Sequence, residues 1–279
     1  MKNVTAVVCS WNSIQSIEKC LQSLIDNNLK VIVVDANSND GSRELAIKYA
    51  HKVITDPRKG LGTARNLGIE NVTTQYVLNW GVDNILPKGQ LELMLDCLEK
   101  NNFGGVSAQT FIMSKKMNYL SKSLNLYKKA RFYPGEKNVI GTPSLFETSL
   151  LKNNKFDNKM TWSDDGDICT RLAKKNYKFA ISKAFVYEYG YESFSTIFTR
   201  WKNYGRSDWE IFSKYSIDWS LKRRIQSILY PLHNELFIPL KKASFFNKIK
   251  LFPFLIFITT VRYSFWIKFS LFKNRYIDN

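Results

Sequence analysis

The N-terminal third of the chain alternates between short apolar runs and longer segments in which apolar residues recur at helical spacing. The apolar runs are rich in valine and isoleucine and predict buried strands; they read VTAVVCS, KVIVVDA, HKVITD and QYVLNW. The other segments predict helices; they read SIEKCLQSLIDNN, GSRELAIKYA, GTARNLGIENV and LELMLDCLEKN. This alternation predicts an α/β fold with a mostly parallel sheet and helices on both faces.

Polar residues collect where the predicted strands end. Ser10, Trp11 and Asn12 close the first strand, Asp35 closes the second, and Asp83 follows the fourth. In open α/β sheets, ligands bind beyond the carboxyl ends of the strands. Any one of these turns also has the composition of an ordinary entry into a helix. Because polar residues recur at several strand ends, the pattern favours a binding site along this edge.

The loop KGLGTARN follows the third predicted strand and contains Arg65 near the start of a helix. Backbone N–H groups at a helix N-terminus bind anions, and a nearby guanidinium adds positive charge. The loop is therefore a candidate phosphate-binding segment.

The segment TWSDDGDICTRL contains three aspartates within four positions, Asp164, Asp165 and Asp167. One interpretation is structural: Ser163 or Asp164 caps a helix and the acids suit the helix dipole. Asp167 and Arg171 would then form a supporting i,i+4 pair. The other interpretation is chemical, because a carboxylate among like charges can serve as a general base.

Composition limits the class of protein. With 279 residues, of which 44% are hydrophobic, the chain can bury a full core, and disorder is not expected. Four scattered cysteines suggest reduced core residues in a cytosolic compartment, and two histidines are too few for a histidine metal site. The N-terminus leads directly into a predicted strand, so no signal peptide is expected.

The net charge of +17 is concentrated at the C-terminal end, where residues 219–279 contain 11 Lys and Arg against two acids. Within it, residues 251–272 read LFPFLIFITTVRYSFWIKFSLF and are nearly all apolar. A basic region favours anionic partners. The apolar segment favours an anionic membrane surface over nucleic acid as that partner.

Three placements of the apolar segment are possible: spanning a membrane, lying in its interface, or packing on the catalytic domain. Spanning is disfavoured because a central Arg262 would cost about 2.5 to 3.5 kcal/mol, and because Pro253 and basic flanks give no orientation signal. An interfacial helix is favoured. Its polar side would be formed by Thr259, Arg262, Ser270 and Lys273, although Lys268 falls off that side.

Five motifs resemble, in order and spacing, those of the inverting family 2 glycosyltransferases. They read VVCSWNSIQSIEKCLQSL, VIVVDANSNDGS, GLGTARNLGI, YVLNWGVDN and WSDDGDICTRLAKKNYKF, within residues 3–210. The resemblance implies a GT-A fold, Rossmann-like, and a nucleotide-sugar donor. Together with the basic and apolar composition of the C-terminal end, it predicts a catalytic domain over residues 1–218, followed by a basic, apolar helical region over residues 219–279.

The resemblance also implies roles for individual residues. Asp35 and Arg65 would lie at the nucleoside of the donor, with Ser10, Trp11 and Asn12 beside them. Asp83 would lie at the diphosphate and a divalent cation, Mn²⁺ or Mg²⁺.

Asp165 would be the catalytic base, and Asp164 would cap its helix or touch the acceptor. Thr142 would border the reacting sugar on the acceptor side.

Two departures from the family pattern qualify these roles. Gly81 stands where the family usually has a first aspartate, so only Asp83 of that pair is present and metal binding is expected to be weak. The segment IFTRW lacks the glutamine of processive relatives, which predicts a non-processive enzyme. Trp201 in this segment either stacks on an acceptor sugar or packs in the core.

The favoured function is a peripheral enzyme at the cytoplasmic face of a membrane that adds a single sugar to a lipid-linked or surface glycan. No nucleic-acid partner is expected. A nucleotidyltransferase on a similar sheet is one alternative, although CSWNSIQS lacks the glycine-rich phosphate loop that this chemistry usually needs. A non-catalytic nucleotide-sugar or anion-binding module is the other.

Overall fold

The computed structural model describes residues 3–113, 117–190 and 193–272. The chain divides into two compact units. Unit 1 comprises Met1–Met113 and Tyr133–Gly190, and unit 2 comprises Ser114–Phe132 and Tyr191–Asn279. The boundary between the units therefore lies before residue 218, and the assignment of residues 1–218 as the catalytic domain stays a prediction.

Unit 1 is built on one mixed sheet. Within the described residues its nine strands, β1 to β9 in chain order, are Val4–Ser10, Lys30–Asp35, Lys52–Thr55, Tyr76–Gly81, Asn84–Ile85, Gly105–Met113, Gly135–Lys137, Ser144–Glu147 and Phe179–Tyr189. Eleven α-helices are described, α1 to α11: Ile17–Ile25, Ser42–Tyr49, Leu61–Glu70, Gln90–Lys100, Tyr119–Arg131, Thr148–Asn153, Asp164–Ala173, Phe194–Tyr215, Leu221–Ile228, Ile238–Lys242 and Phe245–Leu271. A 3₁₀ turn, Ser216–Asp218, and a π-helix, Leu232–Phe237, complete unit 2.

The strand order is β3-β2-β1-β4-β8-β6-β9-β5, and β7 pairs with β9. Strands β1 to β4 are parallel to one another, as predicted. The other half is mixed: β8 runs antiparallel to both β4 and β6, whereas β6 and β9 are parallel. An apolar strand buries the same side chains in either direction, so the sequence pattern does not distinguish the orientation of β8.

Successive residues of the central strands point to opposite faces, as the geometry of a strand requires. In β1, Val4, Ala6 and Val8 belong to one apolar cluster and Val7 belongs to the other. Helices α1, α2 and α4 supply side chains to the first cluster, and α3, α6 and α7 supply side chains to the second. Helices therefore cover both faces of the sheet, as predicted.

Unit 2 consists of helices, of which α8 and α11 pack closely. Helix α8 begins with a capping box in which the Ser193 hydroxyl accepts from the backbone N–H of Thr196. A Cβ atom at Gly205 would clash with the carbonyl oxygen of Arg262, so the glycine permits the close approach of the two helices. Within the described residues, α11 is the one helix whose length and apolar composition would suffice to cross a membrane, a test that buried core helices also pass.

A buried ion cluster joins three segments of unit 2. The Arg262 guanidinium on α11 donates to both carboxylate oxygens of Asp208 on α8, at 2.6 and 2.7 Å, and also to Glu235 on the π-helix. The Trp201 indole donates to the other Glu235 oxygen at 3.0 Å. Burial alone would lower the pKa of Arg262, but Asp208 and Glu235 raise it well above its usual value. Arg262 is therefore charged and paired inside the unit.

Candidate active site

The parallel register brings the predicted site residues to one edge of unit 1. Ser10 in β1 pairs with Asp35 in β2, and Cys9 pairs with Gly81 at the end of β4. The backbone N–H of Ala36 donates to the Ser10 carbonyl at 2.9 Å and extends this pairing past the end of β2. The strand ends therefore lie side by side, as expected for a ligand site in this fold class.

Asn12 connects the loops after β1 and β2. Its backbone is in the left-handed region, with φ of 45°, a conformation that asparagine tolerates better than most residues. Its N–H donates to the Ser38 hydroxyl at 2.9 Å, and its side-chain oxygen accepts from the N–H of Asn39 at 3.1 Å. Trp11, the preceding residue, is exposed. The first loop therefore presents a large ring to solvent from a fixed backbone.

Asp35 is fully buried at the end of β2. Its carboxylate accepts from the backbone N–H and hydroxyl of Ser38, at 3.1 and 2.7 Å, and from the Arg43 guanidinium at 3.2 Å. Sequence reasoning did not identify Ser38 or Arg43. The spacing of Asp35 and Ser38 is typical of a turn in which an aspartate binds the backbone that follows it. In this structure Asp35 organises the loop that follows β2.

Arg65 brings together four of the predicted site residues. One guanidinium nitrogen donates to Asp164 and to Asp165, each at 2.6 Å, and another donates to the Thr142 hydroxyl at 2.7 Å. We refer to Arg65, Thr142, Asp164 and Asp165 as the Arg65 cluster. It joins α3, the loop before β8 and the first turn of α7.

The two aspartates of the cluster have different environments. The Asp164 side chain is buried, whereas the Asp165 side chain is 27% exposed. Oδ1 of Asp165 accepts from Arg65, and within the described part of the chain Oδ2 of Asp165 accepts no hydrogen bond. A Cβ atom on Gly141 would lie 3.4 Å from this Oδ2, so the backbone opposite it carries no side chain. Asp165 therefore combines a fixed carboxylate with one oxygen able to accept a proton.

Burial and charge act in opposite directions on the Arg65 cluster. Burial raises the pKa of Asp164 to about 6, although the Arg65 charge lowers it, and Asp165 raises it further. Burial alone would lower the pKa of Arg65, but Asp165 and Asp164 raise it above its usual value. The guanidinium therefore stays charged while it holds both carboxyl groups.

The third aspartate of the motif has a structural role. Asp167 is fully buried, and Arg171 donates to it from Nε at 2.8 Å, which is the predicted i,i+4 pair. Arg171 also donates to the carbonyl of Lys155, so the pair fixes α7 to the preceding loop. Of the two predicted cap candidates, Ser163 occupies the N-cap position, whereas the Asp164 carboxylate binds Arg65; an acceptor contact of Asp164 stays a prediction.

Asp83 lies in the turn between β4 and β5. Its carbonyl accepts from the backbone N–H of Tyr189 at 2.7 Å, which fixes the turn to β9. A Cβ atom at Gly81 would lie 2.9 Å from Oδ1 of Asp83 and 3.0 Å from the side-chain nitrogen of Asn84. These side chains therefore fill the space beside Gly81, where the family has its usual first aspartate.

Trp201 belongs to unit 2 and is 1% exposed. Its ring packs edge to face against Tyr127, Tyr204 and Phe254, with centroids 5.5 to 5.9 Å apart. Since neither face of the ring is available to a sugar, this placement matches the core alternative rather than the acceptor-stacking one.

The sequence profile described as Glycosyl transferase family 2 matches residues 5–155, more than half of the chain. The chain belongs to glycosyltransferase family 2. The matched range includes β1 to β8 and the Arg65 and Thr142 members of the Arg65 cluster, and it ends before α7.

One similar family member is a cholesterol galactosyltransferase from Borreliella burgdorferi, 28% identical over 129 residues that cover 43% of this chain and 36% of the relative. The chain thus spans about a third of that relative's length. A mannosyltransferase from Pyrobaculum calidifontis, solved with GDP-Man and Mn²⁺, has a similar fold: the TM-score is 0.69 at 17% identity, covering 98% of this chain and 88% of that one. TarS from S. aureus, solved with UDP-GlcNAc, gives 0.54 at 15% identity, covering 98% and 92%. The predicted GT-A fold of this glycosyltransferase family member is confirmed.

Because the pKa of Asp164 is raised to about 6, the folded protein holds this proton more tightly than the unfolded chain does. The linked stability is complete below the ordinary value of 3.8 and is lost as the pH rises through about 6. Asp164→Asn cannot ionise, so its melting temperature should rise relative to wild type between pH 4 and 7. The relative gain in unfolding free energy should be on the order of 3 kcal/mol.

Asp96→Asn is the control for this pH series, because Asp96 is an exposed carboxylate on α4. Its melting temperature should stay close to that of the wild type, because the exposed Asp96–Lys100 pair that it removes contributes little to stability. A constant difference between Asp164→Asn and wild type across this range would contradict the raised pKa of Asp164.

Proposed function

We propose that this protein is an inverting glycosyltransferase with Asp165 as the general base. It moves a single sugar from a nucleotide-sugar donor to a lipid-linked or surface-glycan acceptor, as a peripheral protein at the cytoplasmic face of a membrane. Family membership and the nucleotide sugars held by similar structures, GDP-Man and UDP-GlcNAc, support the donor class. The observation that carries the proposal is the Asp165 carboxylate, which is fixed through Oδ1 and, among the described residues, accepts no hydrogen bond at Oδ2.

The proposed reaction is a single displacement. The acceptor hydroxyl oxygen forms a bond to the anomeric carbon as the bond from that carbon to the diphosphate oxygen breaks, and the nucleoside diphosphate leaves with the electron pair. Oδ2 of Asp165 takes the hydroxyl proton. Attack from the face opposite the leaving group inverts the anomeric configuration.

Arg65 is a positioning residue in this mechanism. Its guanidinium holds Oδ1 of Asp165 at 2.6 Å and thereby sets the direction of Oδ2. The buried Asp164 carboxyl group and the Thr142 hydroxyl engage the rest of the guanidinium, which restricts its rotation. The expectation that Arg65 also contacts the donor stays a prediction, as does the acceptor-side role of Asp164 and Thr142.

The proposed donor surface is the edge formed by the loops after β1 and β2. Ser10 and Asp35 form its floor, and Asn12 fixes the loop that carries the exposed Trp11. A flat aromatic ring beside polar backbone suits a nucleoside base. Asp35 would act here through Ser38 and Arg43, which occupy its carboxylate oxygens.

The proposed cation site has one protein carboxylate. No group of three or more His, Cys, Asp and Glu in the described residues could hold a metal ion. The Asp83 carboxylate fits a Mn²⁺ or Mg²⁺ ion that is bound mainly by diphosphate oxygens and water. When bound, such an ion would neutralise charge on the leaving diphosphate.

Asp165→Asn tests the base. The change keeps the shape of the side chain, so melting temperature and donor affinity should stay near wild type while turnover falls by about 10²-fold to 10⁴-fold. Donors are first selected by thermal shift with GDP-mannose and UDP-GlcNAc, because a ligand of the native state raises the melting temperature. Initial rates are then measured at saturating donor, with Asp96→Asn as the control.

Wild-type turnover in Asp165→Asn would exclude Asp165 as the base. Donor binding without hydrolysis or transfer, in the wild type and with a range of acceptors, would favour the binding-module alternative instead.

Gly81→Asp tests the single-carboxylate cation site. A second carboxylate should lower the Mn²⁺ concentration needed for half-maximal activity by about tenfold, because ligand charge sets affinity. Gly81→Asn is the matched control, since it meets the Asp83 and Asn84 side chains in the same way but adds no charge. Equal Mn²⁺ dependence of the two variants, or full wild-type activity in excess chelator, would contradict a cation at Asp83.

A further inference from the structure

The outer side of α11 carries a stripe of exposed apolar side chains. Phe245, Ile249, Phe252 and Ile256 are exposed and succeed one another at spacings of four, three and four residues. Such spacings place side chains on one side of an α-helix. We call these four residues the α11 stripe. A continuous exposed apolar surface of this kind usually marks an interaction site.

The opposite side of α11 is packed within unit 2 and includes two polar residues. Phe254, Leu255 and Ile258 are buried there, together with Thr259 and Arg262. The expected polar side is therefore wrong at Thr259 and Arg262, which are buried; Ser270 is half-buried, and Lys273 lies outside the described residues. Arg262 points inward because Asp208 and Glu235 provide its counter-charges. The side of α11 that remains available to a partner is the apolar one.

The exposed charges that flank the stripe along the chain, between residues 219 and 272, have one sign. Between residues 219 and 272 the only acid in the sequence is Glu235, which is buried and paired with Arg262. The exposed charged side chains in this range are all positive: Lys222, Arg223, Arg224, Lys241, Lys242, Lys248, Lys250 and Lys268. Positive charge next to an apolar stripe fits a surface that is both anionic and apolar.

We propose that the α11 stripe docks on the surface of an anionic lipid bilayer while α11 stays packed in unit 2. A spanning helix would have to separate Arg262 from Asp208 and Glu235, and breaking a buried ion pair is strongly unfavourable. Nucleic acid would match the charge but not the apolar stripe. The proposal defines the surface through which the proposed enzyme contacts the membrane. It rests on the proposed function only because a membrane-bound acceptor is the reason for such a contact.

Co-sedimentation of the full chain with lipid vesicles tests the proposal. The wild type should pellet with vesicles of phosphatidylcholine and phosphatidylglycerol in equal parts and stay in the supernatant with phosphatidylcholine alone. Ile249→Ser should lower the partition coefficient by about tenfold, because a large apolar side chain no longer enters the bilayer. Ile47→Ser is the matched control: Ile47 lies on α2 in unit 1 and is 62% exposed, against 61% for Ile249.

A second pair of variants tests the charge. Lys248→Gln combined with Lys250→Gln should lower the partition coefficient about 25-fold, since each lysine near an anionic surface contributes about fivefold. Lys88→Gln combined with Lys183→Gln, two exposed lysines of unit 1, should leave it unchanged. Melting curves and donor-induced thermal shifts should stay wild-type in all variants, so that failure of docking is distinguished from failure of folding or of donor binding.

Three results would overturn the proposal. The first is wild-type protein that stays in the supernatant with anionic vesicles. The second is equal partitioning of Ile249→Ser and Ile47→Ser. The third is a lipid-free dimer that Ile249→Ser converts to a monomer in analytical ultracentrifugation, which would assign the stripe to contact between copies of the chain.

Discussion

The site depends on one buried arginine that holds two carboxyl groups. Arg65 is nearly inaccessible to solvent and would be strongly destabilising there without Asp164 and Asp165. Conversely, neighbouring carboxylates at the start of α7 would repel each other without the guanidinium. The ion cluster therefore fixes α3 relative to α7. The consequence for chemistry is an Asp165 carboxylate whose position is set through one oxygen while the other faces the backbone at Gly141.

Unit 2 also contains a buried arginine that is paired with two carboxylates, but the pairing has a different structural consequence there. Arg262 is buried against Asp208 and Glu235, and the cluster joins α8, the π-helix and α11. The charge of Arg262 is paired inside the unit. The exposed side of α11 therefore does not have to solvate it. In unit 1 a buried arginine orients the Asp165 carboxylate, whereas in unit 2 a buried arginine determines which side of a helix is exposed.

Much of unit 1 could be predicted from the sequence because the residues that specify its strands and helices lie close together along the chain. The four parallel strands, the helices on both faces and the polar strand ends follow from apolar runs and their spacing. The Asp167–Arg171 pair follows from a helical i,i+4 distance. The partners of Arg65 do not follow from local spacing, because Asp164 and Asp165 lie 99 and 100 residues away in the sequence.

The placement of Trp201 and the orientation of α11 also depend on residues that are distant in the sequence. Trp201 has the same local sequence whether its ring is buried or stacked on a sugar, and only the positions of Tyr127, Phe254 and Glu235 decide the question. The polar residues of α11 likewise define a side of the helix but not the direction in which that side points. Asp208 and Glu235, which decide it, lie 54 and 27 residues before Arg262.

The anomeric configuration of the product tests the central claim, that Asp165 acts directly on the acceptor hydroxyl. Transfer from a nucleotide sugar to a soluble acceptor would be followed by NMR, in which the one-bond coupling between the anomeric carbon and its proton distinguishes the two configurations. A single displacement gives a first-formed product whose anomeric configuration is opposite to that of the donor. Retention of configuration would contradict it, because a single displacement assisted by one base cannot preserve the stereochemistry at the anomeric carbon.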